Sequence, residues 1–407
     1  MATAVATTTE QSGAEHRDQF LAFVGDTETF AVIDQVVGEL MLPHASIRQG
    51  GVKEAVKHLG EQRSPRLLLI DVSGSDLPLS DINALADVCE PGVTVLAVGD
   101  RNDCGLFRDL LQHGVADYLV KPITPALLQK AILAATEQTG VIKGNHKLGK
   151  LVAVTGTRGG VGATTVAASV AWLIAHERRR RVALVDLDLQ FGTVALSLDL
   201  EPSHGLREAL ENPNRIDGLF MDRVLIQHSE RLFVLSAEES PDETLLLDYG
   251  AVELLMTELR NKFHYVIVDV PRSPNACTQQ ILQSATDLLL VTDLSLAGMR
   301  DTMRLTGMLP TTNASCNTVL VVNRVGEHKQ GEMPRAEFEK GVSRKLDLLL
   351  PFDARTVAAA TNFGQPVASA KGAVAAGLRE ITARLCGPAA GTAATRSGVW
   401  QKLLKKS

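Results

Sequence analysis

Aromatic residues are scarce in this chain of 407 residues, since Phe, Trp and Tyr together make up only 4% of it. Aliphatic side chains must therefore do most of the packing, as happens when helices cover both faces of a parallel sheet. Hydrophobic residues make up 45% of the chain and charged residues 22%, which is enough for a sizeable core. The length exceeds what one ordinary core supports, so we expect at least two domains. The composition predicts an α/β protein.

Several other features are also missing. The five cysteines are too scattered to indicate a metal site or a disulfide framework. No apolar run approaches the roughly 18 to 20 residues that a membrane span needs, and the opening residues MATAVATTTEQSG lack the apolar core of a signal peptide. The net charge of −6 gives no general attraction for nucleic acid. We therefore expect a cytoplasmic protein with no specific nucleic-acid partner and, at most, peripheral membrane contact.

Apolar runs alternate with helix-like stretches along most of the chain, which is the βα rhythm of a parallel sheet. The first series of such runs covers residues 19–139, and the second covers residues 151–387. Residues 1–18 and 388–407 lack this rhythm and are predicted to be flexible tails, the second with a short basic amphipathic end. Residues 140–150 combine Gly, Asn and Lys without an apolar face, which predicts a linker.

The apolar runs give the predicted strands. In the first series they are FLAFVG, RLLLIDV, VTVLAVGD and ADYLV. In the second series they are KLVAVTG, RVALVDLD, RLFVLSA, YVIVDV, LLLVTDL and TVLVVNRV. Nearly continuous apolar strands of this kind are typical of a sheet that is buried on both faces.

A glycine-rich stretch joins the strand KLVAVTG to the helix-forming residues VAASVAWLIAHE. Such a turn directs backbone N–H groups and the positive end of the helix to one place, where a polyphosphate binds well. Thr164 stands where a hydroxyl ligates Mg²⁺, and Thr165 follows it into the first helical turn. The loop predicts a nucleotide site, the alternative being an ordinary Gly-rich βα turn. The residues assigned to phosphate binding are Arg158, Gly159, Gly160, Val161, Gly162, Ala163, Thr164 and Thr165.

Carboxylates are expected near such a loop, because metal-bound phosphate is held at the carboxyl edge of the same sheet. The strand in VALVDLD supplies Asp186 and Asp188, and the strand in YVIVDVP supplies Asp269. We assign Asp269 to Mg²⁺ and assign Asp186 and Asp188 to catalysis. A single Asp at a strand end is often only a turn or cap residue, but three of them together with the loop are more specific.

On these residues, the chain from Lys150 to Cys386 resembles the ParA/MinD family of deviant Walker ATPases. The loop of that family reads Lys-Gly-Gly-Val-Gly-Lys-Thr-Thr, and RGGVGATT matches it except at the two lysines. The resemblance implies a three-layer α/β/α P-loop domain with a mostly parallel sheet, ATP and Mg²⁺ as ligands, and a nucleotide-sandwich homodimer. It also implies that Arg158 takes the place of the lysine that reaches across the dimer, with its positive charge retained.

The second lysine of the family loop holds the β- and γ-phosphates, and Ala163 cannot do this. Loss of a preorganised cation beside the reacting phosphate is expected to cost about a hundredfold to a thousandfold in rate. The backbone amides and Mg²⁺ still bind the phosphates, so we expect ATP binding with weak or absent hydrolysis. The segment DVPRSP also lacks the glycine of the family's switch segment. The resemblance further assigns Asn323 and Asp353 to the adenine side of the pocket, the alternative being polar residues in turns at strand ends.

The first series of strands resembles the receiver domain of response regulators, a flavodoxin-like fold. Lys121, which precedes a proline, and Asp71, at the end of the third predicted strand, match the receiver's lysine and phosphoacceptor. Gly25 replaces one acid of the pair that includes Asp26, and Gly99 replaces the hydroxyl residue that detects the phosphoryl group. We therefore expect a receiver-shaped scaffold for dimerisation or docking, with phosphorylation of Asp71 as the alternative.

An atypical receiver followed by a ParA/MinD-like domain with an altered lysine loop resembles the CpaE/TadZ proteins of tight-adherence (Flp-type) pilus assembly. The resemblance covers the chain apart from its tails, and members of that family often depart at the loop lysine. It implies a protein at the cell pole or at the inner face of the inner membrane. There it would organise the pilus secretion machinery, with that machinery or a polar landmark protein as its partner.

Two other functions stay open at this point. One is an active ParA/MinD-type ATPase that positions chromosomes, plasmids or flagella, and the other is a two-component regulator with an ATPase output. The last residues, VWQKLLKKS, place apolar side chains against lysines and could lie on an anionic membrane. A disordered tail or a partner-docking peptide is the alternative for this segment.

Overall fold

The computed structural model describes residues 17–137 and 148–387, apart from residues 244, 246, 274 and 329 and the side chains of residues 137 and 310. The chain divides into two compact units, residues 1–147 and 148–407. Most of the predicted tails and linker, including the basic amphipathic end, lies outside the described residues. At the first boundary, Arg17 already donates side-chain hydrogen bonds to the carbonyl oxygens of Ser64 and Pro65, so the packed structure begins no later than Arg17.

The first unit contains a parallel five-stranded sheet in the order β2-β1-β3-β4-β5. This is the strand order of flavodoxin-like doubly wound sheets. Apolar side chains fill both faces of the sheet and pack against the surrounding helices. The strands are β1 (Phe20–Val24), β2 (Ala45–Gln49), β3 (Leu67–Asp71), β4 (Thr94–Gly99) and β5 (Val115–Val120). The helices are α1 (Thr27–Glu39), α2 (Val52–Glu61), α3 (Pro78–Val88), α4 (Cys104–Gln112) and α5 (Pro125–Glu137).

Within its described residues, the second unit contains an eight-stranded sheet in the order β13-β12-β11-β6-β10-β7-β9-β8. All neighbouring strands are parallel except the pair β8 and β9. The strands are β6 (Lys150–Gly156), β7 (Val182–Asp186), β8 (Ile226–Gln227), β9 (Leu232–Leu235), β10 (Tyr265–Asp269), β11 (Asp287–Thr292), β12 (Asn317–Val325) and β13 (Leu348–Pro351).

Helices connect these strands and cover both faces of the sheet. They are α6 (Ala163–His176), α7 (Val194–Ser197), α8 (Gly205–Glu211), α9 (Gly218–Val224), α10 (Tyr249–Lys262), α11 (Ala276–Ser284), α12 (Leu296–Thr312), α13 (Arg335–Gly341), α14 (Ala354–Asn362) and α15 (Ala373–Cys386), with short 3₁₀ turns at Pro213–Arg215 and Val367–Ser369. Along β6, Leu151 and Ala153 pack into one core layer, whereas Val152 and Val154 pack into the other, against α6. No helix of the described part of the chain is long and apolar enough to cross a membrane.

The predicted α/β fold with a parallel sheet and a P-loop is confirmed. Strand β6 lies between β10 and β11: the strands β7 to β10 lie on one side of it, and the chain then crosses to place β11, β12 and β13 on the other side. Ligands of open α/β sheets bind at such a switch point, outside the carboxyl ends of the strands. The loop after β6 opens at this edge, and the ends of β7, β10, β11 and β12 lie along the same edge because these strands are parallel.

Candidate nucleotide-binding site

The glycine-rich loop runs from the end of β6 to the start of α6, and two of its glycines are required by its backbone. Gly160 and Gly162 have φ angles of 77° and 92°, in the left-handed region that favours glycine. A Cβ atom at Gly162 would also lie 2.5 Å from the side-chain nitrogen of Asn323. Only glycine at residue 162 therefore permits this backbone path. The amides of the loop lead into the positive end of α6.

Asn323, on β12, fixes the loop from the neighbouring part of the sheet. Its Nδ2 donates a hydrogen bond of 2.8 Å to the carbonyl oxygen of Val161. Its Oδ1 accepts a hydrogen bond of 2.9 Å from the backbone N–H of Arg324. The structure therefore brings Asn323 to the phosphate loop, with a protein partner at each end of its amide.

Thr164 and Asp269 meet where Mg²⁺ was expected. The hydroxyl of Thr164 donates a hydrogen bond of 2.6 Å to Oδ2 of Asp269. Asp269 is paired in register with Asp186 on β7, and both carboxyl groups are buried. Hydroxyl and carboxylate oxygens are the ligands that Mg²⁺ prefers. The position of this pair at the start of α6 fits a magnesium ion bound together with phosphate, and Thr164 and Asp269 are the residues that would hold it.

The two buried carboxyl groups bind protons unusually strongly. Burial raises the pKa of Asp269 to about 7, and the neighbouring charge of Asp186 adds to this effect. Burial likewise raises the pKa of Asp186 to about 6. Two carboxylates at one sheet edge repel each other when both are ionised, and a divalent cation would relieve that repulsion. The raised pKa values of these two carboxyl groups thus agree with a site for a divalent cation.

Asp186 and Asp188 also organise the turn after β7. Asp186 accepts hydrogen bonds from the backbone N–H groups of Asp188 and Val194, both 3.1 Å long. Asp188 accepts a hydrogen bond of 3.0 Å from the N–H of Phe191. A turn held in this way presents the carboxyl groups at the sheet edge, while the catalytic role assigned to them stays a prediction.

Ala163 is the first residue of α6 and packs partly against the core layer that contains that helix. Its methyl group ends close to the sheet, since a Cβ atom at Gly156 would be 3.6 Å from it. An alanine at this position offers no charge to a phosphate. The loop thus combines an intact backbone cradle with a missing lysine ammonium group.

Arg158 is exposed, and it contacts an acidic residue that the sequence pattern did not assign to the site. Its Nε lies 3.4 Å from Oδ2 of Asp293, which follows β11. The hydroxyl of Ser295 donates a hydrogen bond of 2.6 Å to the other oxygen of Asp293. The charge predicted to cross a dimer therefore has a counterion within its own chain.

Three buried threonines join the loop to α12. The hydroxyl of Thr157 donates to that of Thr292 at 3.0 Å, and the hydroxyl of Thr302 lies 3.2 Å from the same oxygen. Thr302 donates to the carbonyl oxygen of Gly298 at 2.7 Å. All three side chains are fully buried. The start of the loop, the end of β11 and the first turns of α12 thus share one hydroxyl chain.

Arg272, within the switch-like sequence DVPRSP, contacts the same helix. Arg272 forms an ion pair of 2.9 Å with Asp301 on α12, and Asp301 is buried although Arg272 is half exposed. Arg300 contacts the second oxygen of Asp301 at 3.0 Å. The segment that lacks the family's glycine is therefore held by a charged contact to α12.

Asp353 is the N-cap of α14 and accepts a hydrogen bond of 3.0 Å from the N–H of Thr356. Its described hydrogen bonds are made within this helix start, so the structure does not join it to the loop. Its assignment to the adenine side of the pocket stays a prediction.

The first unit has a separate acidic pocket around Asp71. The ammonium group of Lys121 lies 2.6 Å from Asp71 and 2.5 Å from Asp26. The N–H groups of Gly25 and Ser73 also donate to Asp71, at 3.1 and 2.9 Å. Burial alone would raise the pKa of Asp71, but these hydrogen bonds outweigh it and lower the pKa. One lysine thus forms ion pairs with both carboxylates.

The ring of Tyr118 fills the space next to Gly99, the second residue that departs from the receiver pattern. A Cβ atom at Gly99 would collide with the hydroxyl and ring of Tyr118. Tyr118 is buried, and its hydroxyl donates a hydrogen bond of 2.9 Å to the carbonyl oxygen of Arg101. Glycine at residue 99 and tyrosine at residue 118 are therefore complementary in shape.

Comparisons with known proteins agree with the geometry of the second unit. Residues 149–322 match the model of an AAA domain family, AAA_31. The septum site-determining protein MinD of Bacillus subtilis is 26% identical over 246 residues, which cover 59% of this chain and 90% of MinD. The structure of MinD from Pyrococcus horikoshii, which is complexed with Mg-ADP, has a TM-score of 0.51 at 19% identity and covers 58% of this chain and 96% of that chain.

A third likeness concerns a smaller part of the chain. The pilus assembly protein CpaE of Caulobacter crescentus is 32% identical and covers 29% of this chain and 94% of that chain. Its TM-score is 0.27. From the family match, the MinD relatives and the shared fold, we conclude that the second unit of this chain contains a ParA/MinD-like AAA domain.

Proposed function

We propose that this chain is an ATP-binding ParA/MinD-like protein that localises and organises the assembly and secretion machinery of tight-adherence (Flp-type) pili. Binding of ATP with Mg²⁺ drives formation of a homodimer, and hydrolysis is weak. The protein acts in the cytoplasm, at the cell pole or at the inner face of the inner membrane. Its partner is the secretion machinery or a polar landmark protein.

The observation that carries the proposal is the combination found at the start of α6. The loop backbone is fixed by Gly160, Gly162 and Asn323, and Thr164 meets Asp269 at the expected metal position. These parts bind phosphate and Mg²⁺. Ala163 removes the cation that would stabilise charge on the transferring phosphoryl group, so binding is retained while turnover is lost.

The first unit supports an organising role rather than phosphate signalling. Lys121 already pairs with both Asp26 and Asp71, and Tyr118 fills the space above Gly99. A receiver-shaped scaffold whose acidic residues are already paired with a lysine suits docking of a partner. The order of the two units, together with the altered lysine loop, is the pattern that resembles CpaE/TadZ proteins.

Calorimetric titration with Mg-ATP and Mg-ADP, combined with a phosphate-release assay, tests the biochemical part of the proposal. We expect saturable binding of both nucleotides, slow phosphate release and a larger dimer fraction with Mg-ATP in sedimentation experiments. Absence of measurable affinity for either nucleotide would overturn it. The cellular part is tested by deleting the gene and counting surface pili, since unchanged piliation excludes the pilus role.

A second candidate is an active ParA/MinD-type positioning ATPase. The similarity to MinD over 59% of this chain favours it, as does the intact arrangement of Thr164, Asp186 and Asp269. The rate of ATP hydrolysis distinguishes the two functions. Phosphate release as fast as that of a ParA/MinD-type ATPase whose loop carries both lysines would support the positioning ATPase.

A further inference from the structure

Arg272 lies close to the phosphate loop because the residues before it are fixed to β6. The backbone N–H of Val270 donates a hydrogen bond of 2.8 Å to the carbonyl oxygen of Val154, and the hydroxyl of Thr155 donates one of 2.9 Å to the carbonyl oxygen of Val270. Strand β6 ends at the next residue, Gly156, where the loop begins. Arg272 follows Val270 by two residues, which span at most about 7 Å. Its long side chain therefore starts near the loop.

The other end of the Arg272 side chain lies on α12, which borders the same loop. Its guanidinium group donates a hydrogen bond of 2.9 Å to Oδ2 of Asp301. The hydroxyl of the next residue, Thr302, lies 3.2 Å from that of Thr292, which accepts a hydrogen bond from Thr157 at the start of the loop. Both the backbone and the charged group of Arg272 are thus joined to elements beside the phosphate loop.

The contact with Asp301 uses little of the capacity of Arg272. Within the described residues, this hydrogen bond is the only one that the Arg272 side chain makes, so most of the N–H donors of its guanidinium group have no protein partner. The side chain is 50% exposed. Water solvates a charge of this exposure, so Arg272 itself loses little free energy when it leaves Asp301.

Asp301 keeps a cation when Arg272 leaves. Asp301 is buried, and a buried carboxylate without a partner is costly. Arg300 contacts its other oxygen, Oδ1, through Nε at 3.1 Å and through a terminal nitrogen at 3.0 Å. Two arginines thus share one carboxylate, and Arg272 is the one held through a single nitrogen. Arg272 is therefore available to a second anion.

Resting on the proposed nucleotide binding, we infer that Arg272 binds the γ-phosphate of ATP and thereby makes the site select ATP over ADP. Ala163 leaves the phosphates without a cation from the start of α6, and Arg158 is paired with Asp293. A guanidinium fork matches the oxygens of a phosphate and binds two of them together. The terminal phosphate of ATP competes with Asp301 for Arg272, whereas ADP lacks that phosphate.

This role differs from that of the missing lysine. Arg272 follows β10 rather than the loop, and it binds only the terminal phosphate. It adds affinity for ATP without restoring the ammonium group that Ala163 has removed, so slow hydrolysis is still expected. Selection of ATP over ADP also agrees with a dimer that forms with Mg-ATP.

Calorimetric titration of the full chain with Mg-ATP and with Mg-ADP tests this inference. We expect the wild type to bind ATP about tenfold more tightly than ADP, and Arg272→Ala to weaken ATP binding by about tenfold without changing the affinity for ADP. Arg272→Lys should recover part of the affinity for ATP, since it keeps the charge but not the fork. Asp301→Asn should strengthen ATP binding, because the carboxylate that competes for Arg272 is gone.

Arg379→Ala is the matched control. Arg379 is also partly exposed, and it pairs with Glu177, which caps the end of α6 remote from the phosphate loop. This variant should bind both nucleotides like the wild type.

The inference is overturned if the wild type binds ADP as tightly as ATP, if Arg272→Ala retains the preference for ATP, or if Asp301→Asn loses affinity for ATP as Arg272→Ala does. The last result would show that the ion pair only supports the structure. Failure of the wild type to bind either nucleotide overturns the proposed function itself.

Discussion

At the scale of single residues, Ala163 decides between binding and turnover. We expect Ala163→Lys to raise phosphate release by about a hundredfold, because the restored ammonium can stabilise charge on the transferring phosphate. The measurement is single-turnover hydrolysis of ATP, which separates chemistry from product release. The affinity for ATP should change less than the rate.

Ala163→Gln is the control for this experiment, since it lengthens the side chain without adding a charge. Equal rates for Ala163→Lys and Ala163→Gln would contradict the assignment. They would place the defect elsewhere, for example in the segment that Arg272 attaches to α12.

A second residue-scale prediction concerns pH. Asp269 must be ionised to bind Mg²⁺, and its pKa is raised to about 7. The apparent affinity for Mg²⁺ in the presence of ATP should therefore increase as pH rises from 6 to 8, with release of protons on binding. Calorimetry in two buffers of different ionisation enthalpy measures that proton release. Asp269→Asn should bind Mg²⁺ weakly and with a smaller dependence on pH, and a wild-type pH dependence no larger than that of Asp269→Asn would contradict the prediction.

The raised pKa of Asp269 has the opposite effect on the ligand-free protein, whose stability falls as pH rises. A carboxyl group whose folded pKa lies above its unfolded value stabilises the fold below the unfolded pKa, and this contribution is lost as pH rises through the folded value. For Asp269 the loss falls between about pH 4 and 7. Magnesium and nucleotide should therefore raise the melting temperature more at pH 8 than at pH 6.

The site residues that could be predicted are those whose role follows from their position at the end of a strand. Asp186 and Asp269 end continuous apolar runs, and neighbouring parallel strands end at one edge, so their proximity followed from the sequence. Asp293 also follows a strand end, but nothing in the sequence shows that Arg158 turns back to pair with it. The two hydrogen bonds of Asn323 depend in the same way on atomic geometry that no local pattern encodes.

At the scale of secondary structure elements, the buried strands were predicted and three exposed or short ones were not. Strand β2 has the sequence ASIRQ and is only half buried at the sheet edge, so it lacks an apolar run. Strand β8 has two residues, and its pairing is antiparallel. Strand β13 is a short edge strand after a polar stretch. Tertiary pairing, rather than local sequence, defines these strands.

Packing between β4 and β5 predicts that Gly99→Ala lowers the stability of the fold and that the loss depends on Tyr118. The added methyl group would collide with the ring of Tyr118, so we expect a loss of about 1–3 kcal/mol in the free energy of unfolding. The cost of Gly99→Ala should become smaller in a Tyr118→Leu background, which removes the ring. Chemical denaturation of the four proteins measures this coupling, and identical costs in both backgrounds would exclude the contact.

The composition of the acidic pocket predicts how the first unit responds to a phosphoryl donor. We expect incubation with acetyl phosphate and Mg²⁺ to leave Asp71 unmodified, because one acid of the receiver pair is missing at Gly25 and the site therefore lacks a carboxylate for Mg²⁺. Intact-mass spectrometry is the measurement, and Asp71→Asn is the control for labelling at other sites. Stoichiometric labelling that Asp71→Asn abolishes would favour the two-component alternative.

At the scale of the whole molecule, the contact between Arg158 and Asp293 should regulate dimerisation. Asp293→Asn frees Arg158 for the partner chain, so we expect the dimer fraction with Mg-ATP to rise by a few-fold, since an exposed ion pair is worth up to about 1 kcal/mol. Arg158→Ala should lower the dimer fraction without preventing nucleotide binding by the monomer. Analytical ultracentrifugation measures both effects.

Asp222→Asn is the matched control, because it breaks an exposed ion pair with Lys262 that is remote in sequence from the loop. It should leave the dimer fraction unchanged. Equal sedimentation of the wild type, Arg158→Ala and Asp293→Asn in Mg-ATP would remove the role assigned to Arg158.

The α/β class of the chain could be predicted because scarce aromatics and repeated apolar runs leave few other ways to build a core. The phosphate loop could be predicted because the order of strand, glycines and helix start is local in sequence. The order of strands in the sheet, which places β6 between β10 and β11, depends on contacts between distant segments, so local patterns along the chain do not define it.

The buried chain of Thr157, Thr292 and Thr302 has a consequence for pharmacology. Water does not reach these hydroxyl groups, so none of them can leave its neighbour without a loss of free energy. A compound that wedges β11 away from α12 would therefore distort the phosphate cradle from behind, and by linkage the compound and ATP would each weaken the binding of the other.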